Sequence, residues 1–149
     1  MGCMKYKRKK LVQIFKKISI ETSGQGLYDI TNQIRDFVQE TSVTNAILNL
    51  FILHTSCSLI IQENASVEVK EDLLTFFDEL APMDKNLYRH KIEGKDDMPA
   101  HIKSTLTSVN LTLNIQNKEI VLGIWQSIFL FEHRLTSQKR KLSLHLIGD

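Results

Sequence analysis

The spacing of hydrophobic positions changes along the chain, and each change marks an element. Residues 11–20, LVQIFKKISI, are rich in β-branched and aromatic side chains and read as a strand, followed by the turn residues SGQG at 23–26. Ile30, Ile34, Phe37 and Val38 then recur at helical spacing behind a candidate cap at Asp29 or Thr31, which predicts a helix over about 30–40. Strand-like composition returns at 45–53 and 57–62, and the polar LHTSCS between them is expected to open a strand pair. A second, structural helix is predicted over about 66–80. Ser66 suits its N-cap, Glu68 suits its first turn, and Val69, Leu73, Phe76, Phe77 and Leu80 form an apolar stripe that Pro82 stops.

The polar stretch 81–97 exceeds the usual length of a connection, which marks it as a functional loop. Asp97 and Pro99 announce a third helix running to about Ser108, with the aspartate as a cap and the proline in the first turn. Strands are predicted from there on, at 109–115, 119–125, 127–133 and 140–147. Short turns between successive strands require antiparallel pairing, so the fold class is α+β: a mixed, largely antiparallel sheet packed with about three helices.

Composition adds scale to this picture. The chain has 149 residues, 42% hydrophobic and 24% charged, enough for one cored domain over residues 11–149 behind a short arm at 1–10. The richest apolar run, AILNLFIL at 46–53, is far short of a spanning helix, so no membrane partner is expected. The net charge of +2 is uneven. Seven Lys and Arg residues precede the first acid, Glu21, whereas residues 18–149 hold 12 bases against 17 acids. The arm could meet nucleic acid or anionic lipid, but without a basic face elsewhere it reads as a solvated end, and nucleic acid is not the expected partner. Cys3 and Cys57 suggest no disulfide framework, no secretory leader is evident, and Tyr6 stands where a myristoylation signal needs Ser or Thr. A reducing cytoplasm is the expectation.

Candidate chemistry centres on histidine. His54 ends an apolar strand, His90 lies in the long loop, and His101 sits near the start of the third helix, whose N-terminal dipole favours the neutral imidazole a metal requires. Three neutral imidazoles would leave a fourth position open on zinc; hydrogen-bonding or surface roles are the alternative. Glu93, Asp96 and Asp97 could hold magnesium, orient the histidines, or form a solvated loop with a helix cap. Glu93 and Asp97 are the candidate general acid or base. Arg134 pairs with Glu132 or binds an anion, and Lys103 is a second cation for an anionic substrate group. His133 and His145 are weaker candidates, and Cys57 reads as core filling rather than a nucleophile. No glycine loop of either common phosphate-cradling type is present.

Three ordered motifs, HTSCSLIIQENA, YRHKIEGKDDMPAHIKSTL and LGIWQSIFLFEHR, resemble the YjbQ family of small proteins, and the resemblance extends over about residues 12–149. It implies an α+β homotrimer, a histidine-rich metal-associated site at His54, His90 and His101, and secondary thiamine-phosphate synthase activity. That reaction joins a pyrimidine pyrophosphate to a thiazole phosphate and releases pyrophosphate. The implied ion is divalent, zinc first and magnesium as the alternative, and the implied partner is a small phosphorylated metabolite. Gln126 joins Lys103 and Arg134 as a substrate-binding candidate, and the subunit contacts are expected around Trp125 and Gln126. Ile124, Ser127, Ser66 and Val67 depart from the family's usual residues, as does the loop LTSQKR. The alternative function is a non-catalytic trimeric module that binds a small anion or a partner.

Overall fold

The computed structural model describes residues 10–149, so the arm at 1–9, with Cys3 and the acylation-like start, lies outside the described residues. The strand predicted at the start is β1, Val12–Thr22, and it is followed by a short strand that sequence spacing does not reveal, β2, Gly26–Asp29. Helix α1, Thr31–Glu40, begins behind Ile30. Asp29 does not occupy the cap position but accepts the Thr31 N–H through Oδ1 at 2.9 Å, satisfying one of the helix's free donors from one residue further out.

Strand β3, Ala46–Ile52, and strand β4, Cys57–Glu63, lie where polarity patterns predict them, but they do not pair with each other. They belong to two different sheets. One sheet has five strands in the order β1-β8-β3-β5-β6, where β5 is Asn110–Gln116, β6 is Glu119–Ile120 and β8 is Gln138–Gly148. The other has three in the order β2-β7-β4, with β7 spanning Gln126–Glu132. Every ladder is antiparallel. The strand predicted over 119–125 is only two residues long. The Gln126 side chain accepts the Gly123 N–H at 2.7 Å while the Gln126 N–H donates to the Gly123 carbonyl at 2.9 Å, and this local turn ends the ladder.

Alternation decides what is buried. Ile14, Ile18 and Ile20 of β1, Leu48, Leu50 and Ile52 of β3, and Leu142, Leu144 and Leu146 of β8 point to one side of the large sheet. They meet Ile34, Phe37 and Val38 of α1 and Leu59, Ile128 and Leu130 of the small sheet in a single core. Cys57 belongs to this core, and burial pushes its thiol pKa up to about 12, which suits filling rather than nucleophilic chemistry.

Helix α2, Val67–Leu80, is capped by Ser66, whose Oγ accepts the Val69 N–H at 3.2 Å. Its apolar stripe is not a core face: no residue of the helix is fully buried, and Phe76 and Leu80 are exposed. Helix α3, Asp97–Leu106, stops two residues before the predicted end. It packs on β4, where Ser104 Oγ donates to the Cys57 carbonyl at 3.1 Å. No helix among the described residues is long and apolar enough to cross a membrane.

Candidate metal centre

The pairing of β4 with β7 sets Cys57 opposite Glu132, so segment 54–56 and segment 133–135 flank the same end of one ladder. Helix α3 starts beside them. Asp97 was expected to cap this helix, but it makes no capping hydrogen bond; its carboxylate is buried and turned toward side chains. Oδ1 accepts from Arg134 Nη1 at 2.5 Å, and Oδ2 lies 2.8 Å from His90 Nε2 and 3.3 Å from His101 Nε2. His101 is one helical turn beyond Asp97, the spacing that stacks two side chains on one face.

The protonation of His101 follows from its other nitrogen. Nδ1 lies 3.0 Å from the Thr55 carbonyl, which can only accept, so Nδ1 carries a proton and Nε2 is the nitrogen turned toward the cluster. A backbone carbonyl in that position is the support that metal-binding imidazoles commonly use. Among the described residues, His90, Asp97 and His101 form the one group of three metal-type donors whose ligand atoms all lie within 4.8 Å of one another. Two imidazole nitrogens and one carboxylate oxygen form a donor set that zinc accepts.

Arg134 locks the carboxylate. Besides Asp97, its Nε donates to Asp96 Oδ2 at 2.9 Å and its Nη2 to the Glu93 carbonyl at 2.7 Å. Burial would raise the Asp96 carboxyl pKa, but the Leu135 N–H and the Arg134 guanidinium bond its charged form and hold it below the usual range. Gly94 makes this fold of the loop available. Its φ of 114° is in the region that side chains avoid, and a Cβ there would sit 2.9 Å from Asp96 Oδ1.

The other candidates lie elsewhere. His54 is not in the three-donor group. The Ser56 N–H donates to its Nδ1 at 3.1 Å, and Ser56 Oγ lies 3.0 Å from the same nitrogen, so Ser56 engages that side of the ring. Burial, then the Arg140 charge, lowers its pKa and keeps it neutral. It borders a shallow pocket of 280 Å³ shared with Thr55, His101 and Thr105. Lys103 does not reach the open side of the cluster: its side chain is fully buried and donates to Asp78 on α2. Arg134 does not pair with the Glu132 side chain; only its backbone N–H donates there, and the guanidinium is spent on Asp96 and Asp97. Gln126 sits at the far end of the β4–β7 ladder, six residues or about 20 Å away. The Glu93 carboxylate is exposed, with Oε2 3.9 Å from Arg134 Nη1.

A buried network was missing from the sequence reading. Glu132 holds Arg140 of β8 through two hydrogen bonds, Nη2 to Oε1 at 2.5 Å and Nε to Oε2 at 2.6 Å, and Thr22 and Ser56 complete the set. Beside it, His133 is fully buried; Nε2 lies 2.9 Å from Ser58 Oγ and Nδ1 has no partner. Burial, then the charges of Lys103 and Arg140, push its pKa down to about 3.

Comparison with known proteins supplies the context. The profile of the family described as "UPF0047 protein YjbQ-like" matches residues 16–149. A UPF0047 protein of Synechocystis sp. is 44% identical over 130 residues, 87% of this chain and 88% of its own. UPF0047 protein YjbQ of Salmonella typhimurium is 38% identical over 133 residues, 89% of this chain and 96% of its own. Among solved structures, a conserved hypothetical protein of Thermus thermophilus superposes with a TM-score of 0.78 at 33% identity, covering 87% of this chain and 97% of its own.

Proposed function

The chain belongs to the UPF0047 YjbQ-like family, and on that premise we propose that it is a small metal-dependent enzyme acting on a phosphorylated metabolite, with His90, Asp97 and His101 as the ligands of one divalent cation, zinc first. The observation that carries this reading is the convergence of two imidazole nitrogens and one buried carboxylate oxygen, with the Thr55 carbonyl fixing the His101 tautomer. When bound, the ion supplies Lewis-acid stabilisation of charge developing on a leaving phosphate. The protein's own part is orientation. Arg134 holds the Asp97 plane, and Asp97 in turn keeps both imidazoles facing one point.

The family resemblance names the first reaction to test, the condensation of a pyrimidine pyrophosphate with a thiazole phosphate. The thiazole nitrogen forms the new C–N bond while the C–O bond to pyrophosphate breaks and the leaving group takes the electron pair. Glu93, whose carboxylate is exposed beside Arg134, exchanges a proton with bound substrate in this reading. The assembly is a homotrimer in this reading, supported by the exposed Ile124 and Trp125. A second reading, a non-catalytic trimeric module that binds a partner in place of a phosphorylated substrate, is favoured by one observation: Arg134 and Lys103 are both already paired with carboxylates.

One assay separates them. The zinc-loaded full chain, given both substrates, releases pyrophosphate, and His101→Ala releases none. No pyrophosphate release and no binding of either phosphate by calorimetry supports the module, and failure of the full chain to take up any divalent metal overturns the enzyme reading. Light scattering is expected to give three times the chain mass; a monomer contradicts the trimer.

A further inference from the structure

Past the three proposed ligands, the same face of α3 continues into a groove. Asp97, His101 and Thr105 lie at i, i+4 and i+8 and so stack in line along the helix. His101 and Thr105 border the 280 Å³ pocket together with His54 and Thr55, which follow β3. A second pocket of 490 Å³ adjoins it, sharing His54, Thr55 and Val109 and extending to Phe51 and Leu53. The segment that carries Val109 is pinned to both sheets. The Ile52 N–H of β3 donates to the Val109 carbonyl at 2.9 Å, and the Leu59 N–H of β4 donates to the Ser108 carbonyl at 2.7 Å.

The lining restricts what can fill this groove. Among the described residues, no Lys, Arg, Asp or Glu borders either pocket. A charged group entering it would lose water without gaining a counter-ion. The hydroxyls on the helix side are already taken up, Ser104 Oγ by the Cys57 carbonyl at 3.1 Å and Thr105 Oγ1 by the His101 carbonyl at 2.8 Å. Apolar surface stands open instead: Val109, Leu53 and Phe51 are 37%, 41% and 43% exposed. Ser56 engages His54 at Nδ1, which leaves Nε2 and the Thr55 hydroxyl without partners among the described residues. The rings of His54, His101 and Phe51 add flat faces suited to a planar occupant.

We propose that this groove is the subsite for the organic part of a phosphate ester, an uncharged planar ring, and that His54 contacts that ring instead of the metal. The inference rests on the metal centre proposed above, which holds the phosphate end. Position joins the two. One helical turn, about 5.4 Å, separates Thr105 from His101, the reach of a P–O–C linkage from phosphorus to the middle of a ring. Apolar walls with a few placed polar groups are the usual make-up of a small-molecule site. His54 Nε2 and the Thr55 hydroxyl read heteroatoms at the ring's edge. A substrate whose body carries a second charge, such as a sugar bisphosphate, finds no counter-ion in the groove.

Calorimetry of the zinc-loaded full chain with phenyl phosphate, methyl phosphate and glycerol 1-phosphate tests the proposal. Phenyl phosphate is expected to bind about 10-fold more tightly than methyl phosphate, and glycerol 1-phosphate no more tightly than methyl phosphate. His54→Ala and Val109→Asp should each remove most of that preference while zinc uptake and methyl phosphate affinity stay as in the parent chain. Both side chains are exposed, zinc uptake shows that each variant is folded, and His54→Ala decides the matter if Val109→Asp does not fold. Nuclear Overhauser contacts between the phenyl protons and the Val109 methyl groups are expected as well. Zinc uptake with equal affinity for phenyl and methyl phosphate, or with no binding of either, overturns the groove and leaves the metal centre standing. A preference that both variants keep does the same. A chain that takes up no zinc overturns the metal centre, and the groove as a phosphate-ester subsite falls with it. Loss of zinc in His54→Ala makes His54 a ligand and contradicts the inference too.

Discussion

Two arginine–carboxylate clusters meet where Glu132 of one and Arg134 of the other lie two residues apart, and they differ in what is left unspent. At Glu132 and Arg140 both carboxylate oxygens receive guanidinium hydrogens, and Thr22 and Ser56 take up further capacity, all sealed between the sheets. At Asp97 and Arg134 one carboxylate oxygen is held, while the other faces two half-exposed imidazoles. The Glu132 side chain even links the two, accepting the Arg134 N–H at 3.0 Å. A saturated buried pair can only hold structure together; a half-saturated carboxylate beside two imidazoles still has an oxygen to give. The first cluster is scaffold and the second is the proposed site.

Substitution should separate these roles. Arg140→Ala leaves Glu132 charged and buried without its partner and is expected to cost about 3–5 kcal/mol of stability, measured by urea unfolding. A loss below 1 kcal/mol would place the pair among the marginal ones. His101→Ala removes a ligand but no core side chain; zinc affinity is expected to fall by about 100-fold or more, near 3 kcal/mol, with the unfolding midpoint of the metal-free protein almost unchanged. Arg134→Gln frees the Asp97 carboxylate without deleting it, and a loss of about 10- to 100-fold in metal affinity is expected.

The smallest effect concerns pH. Folded His133 stays neutral down to about pH 3, whereas in the unfolded chain it takes up a proton near its ordinary value of 6.5. Between those values the unfolded state binds more protons, so stability falls as pH drops, by at most about 1.4 kcal/mol per pH unit from this residue. His133→Gln, whose amide nitrogen can still reach Ser58 Oγ, should lose that part of the slope between pH 7 and pH 4.5. An identical slope in the variant would assign the acid sensitivity to carboxylates instead.

Much of this was legible in the sequence, and the failures have definite causes. Helical spacing located α1 and α2 to within a residue or two, and His90, Asp97 and His101 lie together because seven and four residues separate them across one loop and one helical turn. Sequence spacing could not show that β3 and β4 enter different sheets, because composition describes a strand and not its partner. The Glu132–Arg140 pair joins two strands across a turn, and Arg134, adjacent in sequence, is the more obvious but mistaken partner. His54 is of the same residue type as the other two histidines, but its Nδ1 is engaged by Ser56 and it lies outside the three-donor group. Lys103 looked like a surface cation because nothing in its neighbourhood announces Asp78, on another helix, as its partner.

The proposed metal centre consists of two histidines and one aspartate, and X-ray absorption of the zinc-loaded chain, with variants at His54, His90 and His101, reads its ligands. Two imidazole nitrogens at about 2.0–2.1 Å and one or more oxygens are expected. His54→Ala should leave the spectrum unchanged, and each of His90→Ala and His101→Ala should lose one imidazole shell. A three-imidazole shell that loses one member in His54→Ala, or a shell without histidine, would contradict it.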